Sequence, residues 1–321
     1  MMDVVALGEL LIDFACISAD ADGYPTMAAH PGGAPANYLA ALTKYGAKTA
    51  LLGKVGDDAF GKLLVGTLEK SGIETSGIVM DHDTFTTLAF VTIDHTGNRE
   101  FSFARKPGAD TQLRFEELNL DLIDQAKVFH FGTLSLTDEP IRSATYRAVE
   151  YAKSRGKLVT FDPNLRIPLW KDLTEAKKQM IWGLKQADVV KISDEEVEFL
   201  FDCTPEEGAE KILREYGVSL VLVTLGAKGA ILQNKNGMCR VVCPQVKPVD
   251  TTGAGDIFGG SAVSRLLMLQ TSPAELTVEQ MRELGIFSAT AASLSTEALG
   301  GIPSIPAMET VIAVCKESKS E

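Results

Sequence analysis

Short apolar runs recur along the chain at 4–8, 50–55, 127–132, 157–162, 187–192 and 220–225. Several are near-continuous rather than alternating, the pattern of strands buried on both faces. Between them lie segments such as 141–155, 174–186 and 205–216, rich in Ala, Glu, Lys and Leu. Glu206 and Glu210, then Lys211 and Glu215, fall four residues apart, the spacing of neighbours on one helix face. Strand and helix alternate, which predicts an α/β fold: a doubly wound, mostly parallel sheet flanked by helices, with right-handed crossovers.

Two regions break that rhythm. Residues 12–30 read as irregular, with Asp20, Asp22, Gly23 and Pro25. Residues 86–104 alternate (Leu88, Phe90, Thr92, then Phe101, Phe103) around a polar turn at 94–98, which reads as a hairpin outside the main sheet. Together they predict a small β-sheet lid, inserted from about 12–31 and 84–106 into a single domain spanning 1–321. The tail after Ala313 is polar and expected to fray.

Composition narrows the function classes. With 321 residues, 45% of them apolar, the chain can bury a sizeable core. A net charge of −12 argues against nucleic acid or an anionic membrane as partner. An anionic ligand would need a site that concentrates its own cations and backbone N–H groups. No apolar run approaches the roughly 18–20 residues of a membrane span. Residues 1–14 are apolar but carry Asp3, Glu9 and Asp13 and no basic group, so they read as a first strand and turn rather than a secretory signal. Five scattered cysteines (Cys16, Cys203, Cys239, Cys243, Cys315) suit reduced thiols and a cytoplasmic location.

The richest chemical signal is Asp250-Thr251-Thr252-Gly253-Ala254-Gly255-Asp256, which follows a strand-like stretch and opens an apolar helix. Small residues let the backbone turn tightly with N–H groups outward. At a helix start those donors lack partners and sit at the positive end of the dipole, a ready site for an anion such as a phosphoryl group in transit. Asp256 would stand beside that nest. Capping is the plainer use of an Asp or Thr at a helix start, but a cap does not require three small residues in front of a carboxylate. A carboxylate within reach of an alcohol can accept its proton, and fixed donors can stabilise the moving phosphoryl group.

This segment resembles the signature of the ribokinase-like, phosphofructokinase-B-type carbohydrate kinases, and the resemblance runs almost the whole chain. Gly32-Gly33-Ala34-Pro35-Ala36-Asn37 is similar to the family's N-terminal sugar-binding signature; read alone, its glycines also suit a plain turn into a helix. The stretch 99–110, then 130–136, then 162–170, looks like the fructokinase branch.

The resemblance implies a sugar held by Asp13, Gly32, Gly33, Asn37, Arg105 and Arg166, with Asp256 as base, Gly253, Ala254 and Gly255 as anion hole, and Arg166 serving in catalysis as well. A surface location is the plainer reading of each arginine. It implies ATP near Lys191, Thr224, Gly226, Lys228 and Gly229, and magnesium ordered through water by Glu196, which also suits a plain helix-start acid. Where the family usually has Asn-x-x-Glu, this chain has Ser193 ahead of Glu196. Residues 298–303 resemble the loop beside adenine, and Asp250 with Thr252 would serve potassium. Fructose phosphorylated on its 6-hydroxyl is the first substrate; 2-keto-3-deoxygluconate, ribose or a nucleoside, and a sugar-binding regulator without catalysis, are the alternatives. A homodimer through the lid is the expected assembly.

Other motifs fail. Gly56 to Lys62 starts like a P-loop, but Leu63 stands where Ser or Thr must ligate magnesium, so a capped strand–helix turn is expected. No Gly-x-Gly-x-x-Gly follows the first strand, and no Gly-x-Ser-x-Gly elbow occurs.

Overall fold

The structure, a computed structural model, describes residues 1–93 and 99–317. Thirteen strands occur among them: β1 (Val4–Leu7), β2 (Leu11–Ala19), β3 (Pro25–Gly32), β4 (Thr49–Gly56), β5 (Ile78–Asp81), β6 (Leu88–Ile93), β7 (Arg99–Ala104), β8 (Val128–Gly132), β9 (Leu158–Asp162), β10 (Val189–Ser193), β11 (Leu220–Thr224), β12 (Ala230–Asn234) and β13 (Gly237–Val241).

Nine of these form one sheet in the order β13-β12-β11-β10-β9-β8-β1-β4-β5. Pairing is parallel from β5 through β11, and the β11–β12–β13 edge is antiparallel. The apolar runs follow from this position. In β1, Val5 and Leu7 pack with the helices Ile141–Ser154, Leu173–Gln186 and Pro205–Tyr216. Val4 and Ala6 pack on the other face with Ala34–Lys44, Ala254–Leu269 and Val278–Ser295. Strand order reverses at β1, whose neighbours β4 and β8 lie on opposite sides. Ligands of such sheets gather outside the carboxyl ends of the strands at that switch point.

Two helices there touch closely. A Cβ on Gly260 would stand 2.4 Å from the backbone oxygen of Tyr38, so Ala254–Leu269 approaches Ala34–Lys44 without a side chain between them. Asp58 caps the helix Ala59–Lys70, accepting from the N–H groups of Phe60 and Gly61 at 2.8 Å each, so the P-loop-like stretch is the capped turn.

The remaining four strands form a separate small sheet, β3-β2-β6-β7. Residues 12–30, read as irregular, are in fact a β2–β3 hairpin. The turn-forming residues concentrate at its tip, where Asp20 Oδ1 accepts from the N–H groups of Asp22 (3.0 Å) and Tyr24 (2.8 Å). Phe14 stacks on Phe90 (5.3 Å) across the β2–β6 pair and meets Phe60 edge-on (5.6 Å). The turn expected at 94–98 lies outside the described residues. The tail departs from expectation too: the helix Met308–Glu317 continues past Ala313, with Val311 buried and Cys315 Sγ 3.5 Å from Thr290 Oγ1. Among the described residues no helix is long and apolar enough to cross a membrane.

Candidate active site

A cavity of about 700 Å³ opens between the carboxyl ends of the central strands and the small sheet. Leu11, Asp13, Val91 and Phe103 line it from the small sheet; Gly33, Asn37, Arg166, Lys191 and Asp256 line it from the body. The volume suits a small organic ligand with a few fixed polar groups.

Asp256 lies in the first turn of Ala254–Leu269 and is 8% exposed. The preceding Gly253 has φ +76°, and a Cβ on it would come within 3.1 Å of Asn37 Nδ2, so only glycine suits both the conformation and the approach. Gly255 and Asp256 open the turn where helices leave N–H donors unpaired. The Ala254 N–H instead leans back to Thr251 O at 3.3 Å. Asp256 Oδ2 accepts from Asn37 Nδ2 at 2.9 Å and Oδ1 from Asn164 Nδ2 at 3.3 Å. Burial pushes this carboxyl above the usual range, while the Asn37 amide and the charges of Lys191 and Arg166 pull it back. Asn37 Oδ1, on the other side of that amide, is buried against Gly301 without a hydrogen-bond partner.

Lys191, on β10, is half-buried at the cavity wall with its Nζ 3.0 Å from Asp162 Oδ2, and a Cβ on Gly255 would stand 3.0 Å from that Nζ. An ammonium thus stands close against the helix start. Burial alone would lower its pKa, but the Asp162, Glu196 and Asp256 carboxylates outweigh it and keep it charged.

Asp13 pairs with His30 across the β2–β3 ladder and presents its carboxylate to the cavity. Burial raises it to about 7, against the pull of Arg166. A Cβ on Gly32 would fall 2.0 Å from Asp13 Oδ2, so Gly32 makes room for that carboxylate. Gly33 has φ +113°, and a Cβ there would lie 2.5 Å from Glu9 O.

Several other expected site residues lie outside the cavity, although Thr252 lines it. Arg105 is 5% exposed and does not line the cavity. Its guanidinium is engaged by Asp110 Oδ2 (2.7 Å from Nη2, 2.8 Å from Nε), Thr137 Oγ1 (2.8 Å) and Leu134 O (2.9 Å). A buried charge must be paired, and in this structure the pairing is with Asp110 inside the protein. Thr224, Gly226, Lys228 and Gly229 sit at the end of β11 on the same edge of the sheet, outside this cavity. Gly229 shapes the turn into β12: its φ is +105° and a Cβ would overlap Val241 O at 1.9 Å. Glu196 is buried, with Oε2 on the Ser193 N–H (2.8 Å) and Oε1 on the Leu165 N–H (2.7 Å), the former closing a capping box with Ser193. Asp250 accepts from Thr252 Oγ1 (2.7 Å) and from the Gly300 N–H (2.9 Å), clipping two loops together.

Two polar cavity residues that hydrogen-bond within the site were not singled out from sequence. Glu9, 3% exposed, accepts from the Ala34 N–H at 2.9 Å, and burial raises it to about 7. A carboxylate just past the end of a buried strand was the available signal. Asn164 is the other.

A parallel α/β sheet has a cavity at its switch point, and a carboxylate inside a helix start lines that cavity with an ammonium beside it, an arrangement able to accept a proton and to hold an anion. The model of the pfkB family of carbohydrate kinases matches residues 1–308. The chain is 43% identical over 327 aligned positions to "Fructokinase-2" of Solanum habrochaites, covering 98% of this chain and 96% of that one. Among solved structures it is similar to fructokinase with bound ATP from Xylella fastidiosa (TM-score 0.90, 28% identity, all of both chains). It is also similar to a double mutant of Vibrio cholerae fructokinase holding fructose, ADP and potassium (TM-score 0.86, 31% identity, 97% and 98% covered). The chain belongs to the pfkB carbohydrate kinase family and is an ATP-dependent sugar kinase.

Proposed function

We propose that the chain is a fructokinase of the cytoplasm that transfers the γ-phosphoryl group of ATP to the 6-hydroxyl of fructose. The observation that carries the reading is the Asp256 carboxylate, fixed by two amides at the wall of a cavity that also holds Asp13, Asn37, Arg166 and Lys191. The relatives named above supply the choice of sugar.

Asp256 accepts the hydroxyl proton while the hydroxyl oxygen attacks phosphorus and ADP departs with the bridging electrons. Its elevated pKa makes it a better base than a surface carboxylate, and it must be ionised to act, so turnover falls as pH drops through that pKa. The N–H groups opening Ala254–Leu269, with Gly253 shaping the turn, form the anion hole, and the Lys191 ammonium adds a charge beside it. Asp13, Gly32, Gly33, Asn37 and Arg166 hold the sugar; Arg105 braces the wall at Leu134. ATP extends from Lys191 toward Thr224, Gly226, Lys228 and Gly229.

Magnesium, bound through nucleotide phosphates and water, would neutralise phosphate charge. Glu196 fits a place among those waters, since each of its oxygens receives one backbone N–H and keeps a further lone pair. Asp250 and Thr252 are the candidates beside a potassium ion. Residues 12–31 and 84–106 act as the lid, whose closure over the sugar excludes water and suppresses ATP hydrolysis. Ile17 and Tyr24, 57% and 70% exposed at its far end, support pairing of two lids in a homodimer.

A coupled ADP-release assay across fructose, ribose, 2-keto-3-deoxygluconate and nucleosides tests the reading. Fructose is expected to give the highest kcat/KM. A higher value for another member of the panel would transfer the assignment to that substrate, and sugar binding without ADP release would mark a regulator. On the sugar side, Gly33→Ala is expected to raise the sugar KM about tenfold or more, since forcing an L-residue into this backbone costs on the order of 1–3 kcal/mol. The ATP KM should move by far less; an equal rise in both would detach Gly33 from the sugar.

A further inference from the structure

We propose that Asn164 is a positioning residue for phosphoryl transfer, holding the second oxygen of Asp256 so that the carboxylate faces the cavity in one orientation. The inference rests on the reading of Asp256 as base.

Asn164 follows the end of β9 and takes φ +43°, one of three described non-glycine residues with positive φ. Such a conformation persists where the surroundings over-determine it, and each neighbour in the loop is tied to a different element. Asp162 meets Lys191 Nζ of β10 at 3.0 and 3.2 Å. Pro163 O receives the N–H of Thr133 at 3.3 Å and also its hydroxyl. The Leu165 N–H donates to Glu196 of the helix Asp194–Phe201 at 2.7 Å. The Asn164 N–H itself turns to Asp162 Oδ1 at 3.2 Å. The side chain is left aimed into the cavity, with Nδ2 3.3 Å from Asp256 Oδ1.

Asn37 already holds Oδ2 at 2.9 Å from the opposite side. Two amides on two oxygens block rotation of the carboxylate about its last bond. Each donor also favours the ionised form. The charged groups around the base divide: Lys191 of β10 and Arg166 of the same loop favour ionisation, whereas Glu196, Asp162 of β9 and Asp13 of β2 oppose it. Loss of the Asn164 amide therefore tips the balance toward the protonated, inactive carboxyl. The acid limb of the pH profile moves to higher pH.

The test uses the full-length kinase and compares Asn164→Gly, which keeps the left-handed backbone without the amide, with Asn164→Asp, which keeps the size but adds a like charge. Asn164→Gly is expected to lower kcat about ten- to a hundredfold, the worth of one hydrogen bond to a charged group. Its KM values should change by less than about threefold, and the acid limb of kcat/KM should rise. Asn164→Asp should move that limb further in the same direction. An unshifted limb with kcat within about twofold of wild type overturns the proposal. If the glycine variant does not fold, as judged by thermal melting, the aspartate variant decides the question through its own acid limb. Asp256→Asn is assayed alongside: full activity there removes the base itself, whereas an inactive Asp256→Asn beside an unshifted Asn164→Gly removes only the role of Asn164.

Discussion

Asp256→Asn is expected to lower kcat by about a thousandfold, within the roughly 10²–10⁴ that positioned general bases contribute. The substitution preserves size and backbone but removes the proton acceptor. Asn37 can still donate to the remaining side-chain oxygen, so the helix start should keep its place. ATP affinity, measured by calorimetry without sugar, should stay within about threefold, because a proton acceptor for the sugar hydroxyl is not a nucleotide ligand. Stability should not fall at neutral pH. Burial raises the folded pKa of this group, so its ionisation costs stability as pH rises through that value, and a neutral amide avoids the cost. Near-normal turnover by a folded Asp256→Asn would show that the proton leaves by another route.

Arg105→Ala is expected to destabilise the protein by about 3–5 kcal/mol, the usual consequence of removing one partner from a buried ion pair. Asp110 would remain buried, with the Thr87 hydroxyl as its other described partner, and Leu134 O would lose its donor. Urea denaturation monitored by far-UV circular dichroism gives the difference. Replacing both partners, Arg105→Met with Asp110→Asn, should recover part of it, because no uncompensated charge is then buried. A loss below about 1 kcal/mol for Arg105→Ala, together with a selective rise in the sugar KM, would return this arginine to the substrate, the role its sequence context implied.

The main sheet was legible because strands such as Val4–Leu7 and Leu220–Thr224 are covered on both faces and so read as unbroken apolar runs. The β2–β3 hairpin was not. Its residues serve two unlike surfaces: Leu11 and Asp13 face the cavity while Phe14 packs on Phe60 and Phe90, and no simple alternation survives that mixture. At the site, Asp256 stood out because glycines and a carboxylate cluster within one short segment. Asn37 became legible only by resemblance, since 219 positions separate it from the carboxylate it holds. Asn164 and Asp256 are 92 apart, and nothing local in an Asp-Pro-Asn turn announces that partnership. Arg105 is ambiguous in sequence for the opposite reason: its partner Asp110 lies five residues on, and a forked donor looks the same whether it serves a ligand or a neighbour.

The bare crossing at Gly260 and Tyr38 divides the molecule's labour. It makes one stiff unit of the two helices that carry Asn37 and Asp256, whereas Asp13 rides on the other sheet. On the proposed reading, a swing of that sheet would change how firmly a carbohydrate is clasped but leave the distance between Asn37 and Asp256 untouched. On the same reading, the sugar contact at Asp13 could be altered without disturbing the pairing of Asn37 with Asp256.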